Sequence, residues 1–120
     1  MEYKGTILVM DDEPGILDIV GNFLNHMGYG MKGYENPVQA FEKEPNVNEF
    51  KKVVTDFNMP GMNGSAAVMH MIKNGYPVED IIAMSGEDYE TALKELGKYG
   101  VKQILQKPFN LKDLKKAVEG

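Results

Sequence analysis

Short apolar runs alternate with amphipathic stretches from one end of this chain to the other, and few folds accommodate that alternation. Its natural reading is a series of βα units wound around a parallel sheet. Five units can be counted. The expected strands are Thr6 to Met10, Gly30 to Tyr34, Val53 to Asp56, Ile81 to Met84 and Gln103 to Leu105. The first helix is expected to start near Pro14, a residue suited to a first helical turn, and Ile16, Val20, Phe23, Leu24 and Met27 share one of its faces. Gly28 then stands as its C-cap. An Asn36 cap opens a second helix through Pro37, Val38, Ala40 and Phe41, and further helices are expected over 65–74, 89–99 and 110–119. Gly30 to Tyr34 is poorly apolar, which suits an edge strand.

Composition narrows the function classes. With 120 residues and no Cys, the chain is expected to form a single domain, residues 1–120, without disulfides or Cys-based zinc. A net charge of -5 argues against direct nucleic-acid binding, which depends on neutralising phosphates with Lys and Arg. No apolar stretch approaches the roughly 20 residues of a membrane span, and the first residues do not form a signal peptide. The expected location is cytoplasmic.

Four of the five strands end in side chains with chemistry. ILVM stops at Asp11 and Asp12, the run Val53, Val54 leads to Asp56, IIAM stops at Ser85, and QILQ stops at Lys107. Right-handed crossovers between parallel strands gather all carboxyl ends along one edge, so these five residues are expected to converge. Three carboxylates in one cleft repel each other and call for a cation. All-oxygen ligation with room for water is the preference of Mg²⁺. Metal, acid, hydroxyl and lysine together suit phosphoryl transfer, with Asp56 as nucleophile, Asp11 and Asp12 on the metal, Lys107 balancing charge and Ser85 bonding a phosphoryl oxygen.

The run ILVMDDEP, the segment VTDFNMPGMNG, the AMSG step and the QKPF step resemble, over essentially the whole chain, the receiver domain of two-component response regulators, of the kind found in chemotaxis regulators. The resemblance implies a flavodoxin-like (βα)5 fold with strand order 2-1-3-4-5. It implies that a histidine kinase or histidine phosphotransfer domain passes a phosphoryl group to Asp56, and that the domain is a switch and not a free-standing metabolic enzyme. It further implies Mg²⁺, with Mn²⁺ able to substitute, held by Asp12, Asp56 and the backbone carbonyl of Asn58, with Asp11 acting through water. Ser85 is then the switch hydroxyl, and Lys107 the phosphoryl-contacting lysine before a Pro108 whose peptide bond is often cis in relatives. Asn58 and Glu87 occupy positions that tune the lifetime of the phosphorylated state. Tyr89, Glu95, Lys98, Tyr99, Gln103 and Lys112 are expected on the surface a downstream partner reads, with phosphorylation-dependent homodimerisation an option. The stretch ILQKPFN is similar to receivers attached to hybrid sensor kinases as well as to free-standing ones.

One position departs from the pattern. Three residues before the lysine, receivers most often carry Tyr or Phe, whereas this chain has Ile104, which cannot act as an aromatic rotor. The rearrangement is then either muted or carried by the fourth helix and the loop after Ser85.

Taken singly, each signal has an ordinary explanation: Asp11 to Glu13 could favour a helix dipole, Asp56 could be a turn residue, Ser85-Gly86 a cap and Lys107 a solvated lysine. Their conjunction is specific. The competing readings are a degenerate receiver-like module that binds partners without phosphorylation, disfavoured by the intact acids; an aspartyl phosphatase, whose DxDxT motif is missing; and FMN binding, disfavoured by the acidic first loop. Gly28 to Gly33 matches GxGxxG but follows a helix, so it reads as a cap and turn. Asn63-Gly64-Ser65 reads as a turn and helix start, His26 and His70 as surface or boundary residues, and the methionines, including Met10, Met69 and Met84, mainly as core filler.

Overall fold

The computed structural model describes residues 2–59 and 61–120; Met1, and the turn former Pro60, lie outside the described residues. The strands are β1 (Thr6–Met10), β2 (Gly30–Tyr34), β3 (Lys52–Asp56), β4 (Ile81–Ser85) and β5 (Gln103–Gln106). The helices are α1 (Pro14–Met27), α2 (Pro37–Lys43), α3 (Gly64–Lys73), α4 (Tyr89–Gly97) and α5 (Leu111–Glu119). All strand pairs are parallel and the sheet order is β2-β1-β3-β4-β5, with β2 on an edge as its composition indicates.

Alternation along the strands divides the core into two layers. Leu8, Met10, Val53, Ile81 and Ala83 pack with Ala40, Val68, Met71, Ala92 and Leu96 from α2, α3 and α4. Ile7, Val9, Val54, Ile82, Met84 and Leu105 pack with Val20, Leu24, Leu114 and Val118 from α1 and α5. The central strands are buried on both faces, which is why their sequences are continuous apolar runs.

Local chemistry sets the helix ends. Gly28 adopts φ 99°, and the Gly28 and Tyr29 N–H groups return to the carbonyls of Asn25 and Leu24, closing α1. Asn36, Asn63 and Asn110 each accept a backbone N–H with the side chain, starting α2, α3 and α5. The boundaries expected from sequence shift by one or two residues: Asn110 is the cap of α5 and not its first residue, and α4 stops at Gly97, before Tyr99. Gly64 is required for a different reason than turn propensity. A Cβ there would lie 2.7 Å from both the Cα and the carbonyl oxygen of Phe57, and the Gly64 N–H donates to that carbonyl at 2.7 Å.

Met10 and Met84 are fully buried, but Met69 is 37% exposed on the outer face of α3, because the inner face is filled by Ala67, Val68 and Met71. His26 and His70 are both exposed, His70 stacking on Phe41 with ring centroids 4.2 Å apart.

Candidate functional site

Strand parity explains the central triad. Asp11 continues the alternation of Ile7 and Val9, Asp56 that of Val54, and Lys107 that of Leu105, so all three emerge at the carboxyl edge on the same side of the sheet. The Lys107 ammonium donates to Asp11 Oδ2 at 2.8 Å and lies 3.2 Å from Asp56 Oδ1 and 3.7 Å from Glu13 Oε1. The other oxygen of Asp11 accepts the Glu13 backbone N–H at 2.9 Å, so Asp11 faces the loop and does not cap α1. The Lys107-Pro108 peptide bond is cis, and the Lys107 N–H donates to the Ser85 carbonyl at 2.7 Å, tying the end of β5 to that of β4.

Asp11, Asp12 and Asp56 each offer a carboxylate oxygen, and these oxygens lie within 4.8 Å of one another. Asp11 is fully buried, Asp56 nearly so, and Asp12 exposed. Burial, and next to it the charge of Asp11, push the Asp56 carboxyl up to about 6, against the pull of Lys107. Burial alone would lower Lys107, but its hydrogen bond to Asp11 and the charges of Asp56 and Asp11 carry it above the ordinary lysine value. Three acids around one ammonium leave an excess of negative charge. An all-oxygen donor set of this kind fits a hard divalent cation.

An open cleft of about 380 Å³ lies over this cluster, lined by Asp12, Asp56, Asn58, Glu87, Asp88 and Lys107 among others. Ser85, 1% exposed, ends β4 one strand from Asp56. Its hydroxyl donates to Asp88, and so does the Asn58 side-chain amide. Asp88 escaped the sequence reading; the signal was present as an acid three residues after Ser85, at the head of a helix. Every buried side-chain nitrogen and oxygen among the described residues has a partner. Ile104 stands opposite Ala83 in the β4–β5 register and packs, half-buried, against the layer under α4. The structure thus brings Asp12, Asp56, Asn58, Glu87 and Lys107 to one cleft, with Asp11 buried beside Lys107 and Asp56, Ser85 joined to the cleft through Asp88, and Ile104 in the other core layer.

Fold and cleft define the class: a flavodoxin-like doubly wound α/β protein with an acidic site at the carboxyl edge of its sheet. The chain belongs to the response regulator receiver domain family, whose model matches residues 7–119. It is 32% identical over 115 residues to the chemotaxis protein CheY1 of Helicobacter pylori strain J99, covering 94% of this chain and 93% of that one. It is 31% identical over 120 residues to the uncharacterized transcriptional regulatory protein YesN of Bacillus subtilis strain 168, spanning 94% of this chain but 31% of that longer one. A response regulator receiver domain protein from Clostridium thermocellum superposes with a TM-score of 0.87 at 27% identity, covering 97% of this chain and 92% of that one. Membership makes the chain a signalling module of two-component systems and not a metabolic enzyme. No helix among the described residues is long and apolar enough to cross a membrane.

Proposed function

We propose that this receiver domain is a working phosphoacceptor, taking a phosphoryl group on Asp56 from a histidine kinase or histidine phosphotransfer domain. The observation that carries the reading is the Lys107 ammonium held between Asp11 and Asp56 at 2.8 and 3.2 Å, a cation already beside the acceptor oxygen. In the transfer, an Asp56 carboxylate oxygen bonds the phosphorus as the donor's P–N bond breaks and leaves its electron pair on the imidazole. Lys107 would offset charge on the phosphoryl oxygens, and Ser85 would donate its hydroxyl to one of them.

Asp11, Asp12, Asp56 and the backbone carbonyl of Asn58 would hold Mg²⁺, or Mn²⁺ in its place, and the acid cluster supports that assignment. Such a cation, when bound, supplies positive charge that relieves the repulsion among the acids and screens the incoming phosphate. Asn58 and Glu87, at the mouth of the cleft, would govern access of the water that hydrolyses the acyl phosphate.

Phosphorylation adds negative charge to the cleft and draws Ser85 toward Asp56. The readout surface would be formed by Tyr89, Glu95, Lys98 and Tyr99 in and after α4, Gln103 on β5 and Lys112 on α5, all of them exposed or half-exposed. A downstream partner, an attached domain or a second copy of the chain would bind there.

The test is incubation with acetyl phosphate and Mg²⁺ followed by intact mass. The expected result is one added phosphoryl group that Asp56→Asn abolishes and EDTA prevents. No labelling, or labelling that survives Asp56→Asn, overturns the reading.

A further inference from the structure

Asp88 stands just before α4 and commits both carboxylate oxygens to the cleft. Oδ1 accepts the Ser85 hydroxyl and Oδ2 accepts the Asn58 amide. An Asp or Asn in this place ordinarily turns its side chain onto the free N–H groups of the first helical turn, as Asn36, Asn63 and Asn110 do in their helices. Asp88 makes no such bond, and its backbone, at φ -95° and ψ 24°, is not in the extended form of those three caps. Only its carbonyl follows the helix, accepting the Ala92 N–H at 2.9 Å.

A hydroxyl has one proton to donate. The Ser85 hydroxyl therefore serves either Asp88 or a phosphoryl oxygen on Asp56, and at 1% exposure it has little water to turn to instead. We propose that Asp88 is a positioning residue for the switch: it holds the Ser85 hydroxyl and the Asn58 amide in the unphosphorylated domain and gives up the hydroxyl when a phosphoryl group occupies Asp56. The inference rests on the phosphoacceptor reading above. The released carboxylate oxygen lies at the start of α4, where free N–H groups and the helix dipole favour an anion. The exchange thus links the cleft to α4 through hydrogen bonds. It requires no aromatic ring at Ile104, which packs on the same layer as Ala92 and Leu96 of α4.

The test titrates the full chain, in Mg²⁺, with beryllium fluoride as a phosphoryl mimic. Asp88→Ala is expected to tighten binding about fivefold, since loss of one competing hydrogen bond has roughly that weight. In a Ser85→Ala background the same substitution is expected to change binding by less than about twofold, because the competition acts through Ser85. Asp88→Asn, which keeps an acceptor oxygen for Ser85, is expected to fall between wild type and Asp88→Ala. Without any phosphodonor, Asp88→Ala is also expected to shift the Asn58 side-chain amide resonances. Unchanged or weakened binding in Asp88→Ala, or an equal effect with and without Ser85, overturns the inference while leaving the phosphoacceptor reading intact. A wild-type chain that binds no beryllium fluoride and takes no label on Asp56 overturns both.

Discussion

Lys107 and Asp56 meet at 3.2 Å although their strands, β5 and β3, are separated in the sheet by β4. The lysine crosses the end of β4, where its own backbone N–H is bonded to the Ser85 carbonyl, and continues to Asp11 just after β1. One side chain therefore joins three strand ends and offsets part of the charge of the two most buried acids of the cleft.

Lys107→Ala should accordingly expose the repulsion it masks. With no divalent cation present, Asp11 and Asp56 would face each other unpaired, and a loss of about 2–4 kcal/mol in urea unfolding is expected. Adding Mg²⁺ should recover a larger share of stability in the variant than in wild type. An equal Mg²⁺ response in the two proteins would contradict this account.

The pH dependence of the metal-free protein follows from Asp56. Its folded carboxyl titrates at about 6 against an ordinary value of 3.8, so across that interval the folded state binds more protons than the unfolded state. Its contribution to stability therefore declines as pH rises from about 4 to about 6 and is level above that. Denaturation at a series of pH values should show this slope in wild type and lose it in Asp56→Asn. Above pH 6 the variant should be the more stable of the two.

Gly64→Ala is expected to cost about 1–3 kcal/mol although the residue is helical, because the new methyl would meet the Phe57 backbone, which cannot give way as a flexible side chain does, as well as the Phe57 ring. Gly15, where a Cβ meets nothing within 4 Å, is the control. There Gly→Ala should be neutral or stabilising by up to about 1 kcal/mol in thermal unfolding, since Gly is a poor helix former.

Glu119 accepts from Lys4 at 2.8 Å and from Tyr29 at 3.1 Å, but the pair with Lys4 is largely solvated. Glu119→Ala should change stability by less than about 1 kcal/mol. Ile82→Ala, deleting a fully buried side chain between β4 and the α1/α5 layer, should cost about 2–5 kcal/mol. Chemical denaturation of the two variants side by side measures the contrast.

Much of the fold was legible because its signals are local. Buried parallel strands must be continuous apolar runs, so Ile7 to Met10, Val53 to Val54 and Ile81 to Met84 announced themselves, and Gly30 to Tyr34 betrayed its edge position by lacking that apolarity. Asn36 was legible as a cap for the same local reason. The convergence of Asp11, Asp12, Asp56 and Lys107 could be foreseen once the strands were read as parallel, since parallel topology sends every strand end to one edge.

The remainder depended on distances between segments far apart in the chain. Nothing local distinguishes Met69 from Met71; only the packing of α3 on the sheet exposes one and buries the other. The need for Gly64 arises from the close approach of the Phe57 backbone, which a turn propensity does not encode. Asp88 escaped the sequence reading because its bonds to Ser85 and Asn58 exist only where two loops close over the same cleft. The sequence alone determined the strand pattern and which reactive side chains end the strands, because hydrophobic periodicity is written residue by residue. Tertiary structure alone decided which of those groups hold one another, because hydrogen bonds and ion pairs depend on separations of a few ångströms that only packing sets.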